Sequence, residues 1–77
     1  MSQPPGPRPR RFPTRAAGMQ DSADRSAHQL RLAAAARDAG WDDTIVERHV
    51  ANARTYDQEA DGFLAGRHDG RVEDPTA

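Results

Sequence analysis

The sequence predicts an all-α fold in which two helices, at about residues 22–39 and 44–65, form a hairpin. Three observations predict it: an alanine-rich first segment, a second segment that opens with a helix-capping pattern, and a short connection that contains a glycine. We expect one hairpin domain at residues 21–66. An arginine- and proline-rich arm at residues 1–20 precedes it, and a loose, flexible tail at residues 67–77 follows it.

The arm differs from the rest of the chain in charge. Residues 1–20 contain five prolines, four arginines and no acidic residue, whereas all twelve acidic residues lie between positions 21 and 77. Proline fixes its own φ and disfavours a helical conformation in the residue before it, so we expect this arm to be disordered when it binds nothing. Guanidinium groups bind phosphates and carboxylates, which predicts a polyanion-binding role for Arg8, Arg10, Arg11 and Arg15.

The first helix is predicted to begin near Ser22, and Ser26 with Gln29 forms a possible capping box. Gly40 is predicted to end the helix in a Schellman-type cap, with Trp41 folding back onto Ala36. Helical spacing of alanine and leucine predicts one apolar face, whose members are Ala23, Ala27, Leu30, Leu32, Ala33, Ala34 and Ala36.

The second helix has a clearer predicted start, because Thr44 and Glu47 match the capping-box pattern with Thr44 as the N-cap. Its apolar residues recur at close to heptad spacing: Val46, Val50, Ala53, Tyr56, Ala60 and either Phe63 or Leu64. The connection between the helices is short enough to force a hairpin or a sharp corner. Gly66, Gly70 and Pro75 then predict an irregular tail.

Two helices of this length leave much of their apolar surface in contact with water, and a chain this small is marginal as a lone monomer. We therefore expect a protein partner or a homo-oligomer. The predicted function is non-enzymatic: a small binding or accessory protein that docks on a larger protein or ribonucleoprotein assembly, with the arm adding electrostatic contacts. The predicted docking residues are Leu30, Trp41, Val46, Val50, Tyr56 and Phe63.

The alternative function is a small DNA- or RNA-binding regulator. Ala36, Gly40 and Trp41 loosely resemble the small–glycine–apolar spacing of a helix-turn-helix, and this resemblance covers about twenty residues. It departs from the motif at His49, where a buried apolar residue is wanted. The second helix would also bring Asp42, Asp43 and Glu47 to the phosphates, which would repel them.

The sequence predicts neither a metal site nor a cofactor, and no small-molecule substrate. His28, His49 and His68 are too far apart along the chain to form a local ligand pair, and there is no cysteine. Residues 57–62 resemble the opening of an EF-hand calcium loop, but the position of the bidentate glutamate is His68, so a continuing helix is expected. No apolar run is long enough for a membrane span, which favours a cytoplasmic protein.

Overall fold

The computed structural model describes residues 10–77, and within them two antiparallel helices account for most of the chain. The elements in order are β1 (Phe12–Thr14), α1 (Arg15–Asp38), α2 (Asp43–Leu64), a 3-10 turn (Asp69–Arg71) and β2 (Val72–Asp74). The predicted helical hairpin is confirmed. The two short strands lie at its open end, where the chain enters α1 and leaves α2.

The connection between the helices follows the predicted Schellman geometry. Gly40 has a φ of +73°, a left-handed conformation that favours glycine. The Trp41 amide donates to the carbonyl of Ala36 at 2.9 Å, and the Gly40 amide donates to that of Arg37 at 3.0 Å. These bonds satisfy carbonyls at the end of α1 and turn the chain, so that α2 returns alongside α1.

The second helix is capped by Asp42, so the prediction that Thr44 is the N-cap was wrong. The Asp42 carboxylate accepts hydrogen bonds from the Thr44 amide at 3.0 Å and from the Thr44 hydroxyl at 2.6 Å. A carboxylate also interacts favourably with the positive end of the helix dipole, which explains why the aspartate takes this position. The helix then continues through residues 57–62, as expected for the segment that resembles a calcium loop.

The first helix begins at Arg15, so the predicted start near residue 22 was too late. Thr14 is the N-cap, and its hydroxyl accepts a hydrogen bond from the Ala17 amide at 3.1 Å. Pro13 is the last proline before the helix, and every residue from Arg15 onward can take helical dihedrals. Ser22 and Ser26, predicted near the start, are instead buried inside the helix.

Small side chains form the α1 side of the contact between the helices. The buried residues of α1 are Gly18, Ser22, Ser26, Ala33 and Ala36, and those of α2 are Val46, Ala53, Gly62 and Phe63. Of the predicted apolar face, only Ala33 and Ala36 are buried, whereas Ala23, Ala27, Leu30 and Ala34 are exposed. The prediction was wrong because it followed hydropathy, while a close approach of two helices selects small side chains whether or not they are polar.

The hydroxyl oxygen of Ser22 is the one buried side-chain polar atom in residues 10–77 that has no hydrogen-bond partner. Burying an unpaired hydroxyl costs free energy, and alanine is also the better helix former. We therefore expect Ser22→Ala to raise the free energy of unfolding by about 1 kcal/mol in urea denaturation followed by circular dichroism. Ser26→Ala should raise the free energy of unfolding by only a few tenths of a kcal/mol, through helix propensity. Destabilisation by Ser22→Ala would show that the hydroxyl has a partner.

A terminal layer closes the open end of the hairpin. Strands β1 and β2 pair in parallel, with Phe12 opposite Val72 and Thr14 opposite Asp74. Phe63 is fully buried, and its ring meets those of Phe12 and His68 edge-on at centroid distances of 5.3 and 5.1 Å. Residues 12–20 of the predicted arm therefore form a strand and the start of α1, and the predicted loose tail contains a turn and a strand with Val72 buried. Residues 10 and 11 of the arm precede the strand, and residues 1–9 lie outside the described residues.

Candidate docking surface and the arginine residues of the arm

Four large apolar side chains are exposed on the described part of the protein. Trp41 is 58% exposed in the connection, Leu30 is 49% exposed on α1, Ile45 is 38% exposed in the first turn of α2, and Leu64 is 66% exposed at its end. Trp41 and Ile45 both lie at the closed end of the hairpin. Because tryptophan is the side chain most enriched at interface hot spots, Trp41 is the strongest single candidate for partner contact.

The six predicted docking residues fall into three groups in the structure. Leu30 and Trp41 are exposed, Val50 and Tyr56 are half-buried, and Val46 and Phe63 are buried in the interior. Val46 packs with Ala33 and Ala36 in the core cluster. Periodicity identified the apolar side of α2 correctly, but part of that side is covered by the protein itself, so Val46 and Phe63 do not present side chains to a partner.

Arg10 belongs to an ion-pair network at the open end of the hairpin. Its guanidinium pairs with Asp21 and with Glu59, the latter at 3.4 Å. Arg71 pairs with the same Glu59 carboxylate at 2.7 Å and donates from Nε to the Arg10 carbonyl at 3.1 Å. Arg71 also lies over the Phe63 ring, 5.1 Å from its centroid. Charged groups from both ends of the described chain are therefore joined across α2.

Arg15 forms a two-point contact with Asp69 in the 3-10 turn. Its Nε and Nη2 donate to the two carboxylate oxygens at 2.8 and 2.7 Å. These bonds hold the pKa of Asp69 below its usual value and raise the pKa of Arg15. Both side chains are partly exposed, so the pair contributes modestly to stability, although its bidentate geometry fixes the position of the turn.

The predicted polyanion-binding set is therefore divided. Arg10 and Arg15 have carboxylate partners within the protein, and Arg11 is exposed. Arg8 lies outside the described residues. An incoming phosphate would have to compete with Asp21 and Asp69 for the first two guanidinium groups. Only Arg11, among the described members of the set, presents its side chain without that competition.

A polar contact that the sequence did not reveal joins the middle of the two helices. The Gln29 amide oxygen accepts a hydrogen bond from His49 Nδ1 at 2.8 Å, in the imidazole tautomer that is protonated at Nδ1, and also accepts from Asn52 Nδ2 at 3.4 Å. His49 is half-buried and hydrogen-bonded. From the sequence, Gln29 was assigned to a capping box, because it follows Ser26 by three residues. That local spacing carries no information about a contact with the other helix.

Two further features of residues 10–77 bear on possible chemistry. An open cleft of about 590 Å³ lies beside the end of α2, but its one carboxylate, Glu59, already accepts from Arg71 and Arg10. Within residues 10–77, no group of three histidine, aspartate or glutamate side chains is placed to hold a metal ion.

Neither helix in this part of the chain combines the length and the apolar character needed to cross a bilayer.

Comparison with known proteins gives no further guide, since no family model, no curated protein and no solved structure matches this chain.

Proposed function

We propose that this protein is a non-enzymatic docking module that binds a larger protein through exposed apolar side chains of its helical hairpin. The observation that carries the proposal is the exposure of Trp41, with Ile45 beside it at the closed end of the hairpin. A tryptophan side chain can bury a large apolar area when a partner covers it, at a low cost in side-chain entropy.

The position of Trp41 suits a contact residue. Its backbone is fixed by the bond from its amide to the Ala36 carbonyl, and Gly40 and Asp42 on either side belong to the caps of the two helices. A side chain carried on a rigid backbone loses little further freedom on binding, which favours affinity. The caps therefore support a preorganised presentation of the indole ring.

The alternative, nucleic-acid binding, has less support. Two of its four arginines already pair with carboxylates, and α2 begins with exposed Asp42 and Asp43, which phosphates would repel. Nucleic-acid capture remains a distinct outcome of the experiment below. The variant that tests nucleic-acid binding is Arg8→Gln/Arg11→Gln. Deleting residues 1–20 would not be a clean test, because it would also remove Phe12, Thr14 and the first turn of α1.

The test is photo-cross-linking in host lysate with the full-length protein carrying benzoylphenylalanine in place of Trp41. We expect one dominant protein adduct that still forms when the salt is raised from about 0.15 M to about 1 M, because apolar contacts are insensitive to ionic screening. The control carries the same cross-linker at Arg31, an exposed position on α1, and should give no dominant adduct.

Two results would contradict the docking function. The first is equal, unselective labelling from positions 41 and 31. The second is recovery of nucleic acid that is lost at high salt and abolished by Arg8→Gln/Arg11→Gln, because steep salt dependence marks phosphate contacts. That second result would establish the alternative function in its place.

A further inference from the structure

A groove between the end of α1 and the first half of α2 lies beside the core cluster. It has a volume of about 420 Å³, and we call it the Val50 groove after the apolar residue in its middle. Val46, which lines it, belongs to the core cluster with Ala33 and Ala36, and the half-buried Val50 packs against that cluster. Val46 is only 6% exposed, so the half-buried Val50 and the exposed Ala51 provide the accessible apolar surface of the groove. The lining residues are Arg37, Val46, Glu47, Val50, Ala51 and Arg54.

The charges around this groove oppose those of the chain as a whole. Arg37 and Arg54 both line it, and Glu47 is the one carboxylate among the lining residues. Neither arginine forms an ion pair with any other residue in positions 10–77. The lining side chains thus carry two positive charges and one negative charge, whereas the formal net charge of the protein is −1. The charges complement an acidic ligand.

The position of the groove between residues of two packed helices favours a helix as its ligand. Two antiparallel helices present a long groove between them, and a third helix can lay its apolar side chains into it, as in a helical bundle. We propose that the Val50 groove binds an amphipathic helix of a partner protein, whose apolar side chains are flanked by aspartate or glutamate. This inference rests on the proposed docking function and names the chemistry of the partner.

The N-terminal segment of this same chain does not have that chemistry. Residues 1–9 contain four prolines, one arginine and no acidic residue. Proline disfavours a helix, and Arg8 would repel Arg37 and Arg54. The sequence of that segment therefore argues for a ligand from another molecule.

The experiment uses two fluorescein-labelled synthetic peptides of three heptads each, with leucine at positions a and d. One carries glutamate at positions e and g, and its matched partner carries lysine there. Fluorescence anisotropy with the full-length protein at about 0.1 M salt should show the acidic peptide binding about tenfold more tightly. Arg37→Glu/Arg54→Glu should reverse the preference, so that the lysine peptide binds better.

The control variant is Arg31→Glu/Arg48→Glu, which changes the charge equally at exposed positions outside the groove and should leave the preference unchanged. Circular dichroism of each variant establishes that the helices are intact. Equal affinity for the two peptides, or an unchanged preference in Arg37→Glu/Arg54→Glu, would overturn the inference. A stable homodimer that the acidic peptide cannot dissociate, seen by sedimentation, would also overturn it, since a second copy would then cover the groove.

The failure of this inference differs from the failure of the docking function. If the cross-linker at position 41 captures a protein but the peptides show no charge preference, the docking function stands and the groove inference is wrong. If the peptides behave as expected but position 41 captures no protein, the groove inference stands and docking through Trp41 is wrong.

Discussion

Phe63→Ala is expected to lower the free energy of unfolding by about 3–5 kcal/mol, the usual cost of deleting a buried phenylalanine ring. The Phe63 side chain is fully buried and contacts the rings of Phe12 and His68, and Arg71 lies over its face. A domain of this size has a total stability of about 4–11 kcal/mol. The substitution therefore removes a large share of the total, and the variant should be substantially unfolded or melt far below the parent.

The measurement is urea denaturation followed by circular dichroism, and Leu64→Ala is its matched control. Leu64 is the next residue on the same helix but is 66% exposed, so its truncation should change the stability by less than about 0.5 kcal/mol. Similar losses in the two variants would mean that the terminal layer does not pack on α2 as the structure has it. A large loss confined to Phe63→Ala would establish that this ring holds β1, the turn and β2 to the hairpin.

The hairpin was predictable because its signals are local. Gly40 followed by Trp41 encodes a Schellman cap within a few residues, and the alanine content of the first segment favours a helix wherever that helix begins. The start of α1 was predicted wrongly because four prolines and three arginines precede Phe12 and gave the whole segment the composition of a disordered arm. The N-cap of α1 is the single residue Thr14, and the composition of the proline-rich segment around it hid this signal.

The terminal layer could not be predicted, because its contacts join residues that are distant in the sequence. Nothing near Phe12 indicates that it meets Phe63, and nothing near Val72 indicates that it pairs with Phe12. A three-residue strand carries almost no periodic signal, and a parallel pair has no turn to reveal it.

The candidate surfaces were predictable in kind but not in detail. Periodicity showed which side of α2 is apolar, but it does not show which part of that side the protein covers, so Val46 and Phe63 were predicted as docking residues together with Trp41. Ion-pair partners are still less predictable, because ten arginines and twelve acidic residues in positions 10–77 allow many pairings. That Arg15 meets Asp69 while Arg37 and Arg54 pair with no carboxylate in this range follows only from the fold.

Gly18→Ala should destabilise the protein, although helix propensity predicts the opposite sign. Gly18 lies inside α1, where alanine would gain about 1 kcal/mol over glycine. A Cβ atom at this position would lie 2.6 Å from two atoms of the Phe63 ring, well inside contact distance. That ring is held by Phe12 and His68, so it cannot easily move, and overpacking of this kind costs about 1–3 kcal/mol. Subtracting the gain in helix propensity leaves a net loss of up to about 2 kcal/mol.

A double-mutant cycle with Phe63→Val separates the two effects. Phe63→Val removes the two ring atoms that lie 2.6 Å from the added Cβ atom. Gly18→Ala in that background should therefore cost less stability than in the parent protein, or stabilise the helix by up to about 1 kcal/mol where the γ-carbons of valine turn away. Gly70→Ala is the control for the general effect of removing a glycine, because a Cβ atom there meets nothing within 4 Å. If Gly18→Ala stabilises the parent protein as well, then α1 and Phe63 are farther apart in solution than in the structure. If Gly18→Ala lowers the free energy of unfolding in the parent protein but raises it in the Phe63→Val background, then Phe63 can be fully buried against α1 because residue 18 has no side chain.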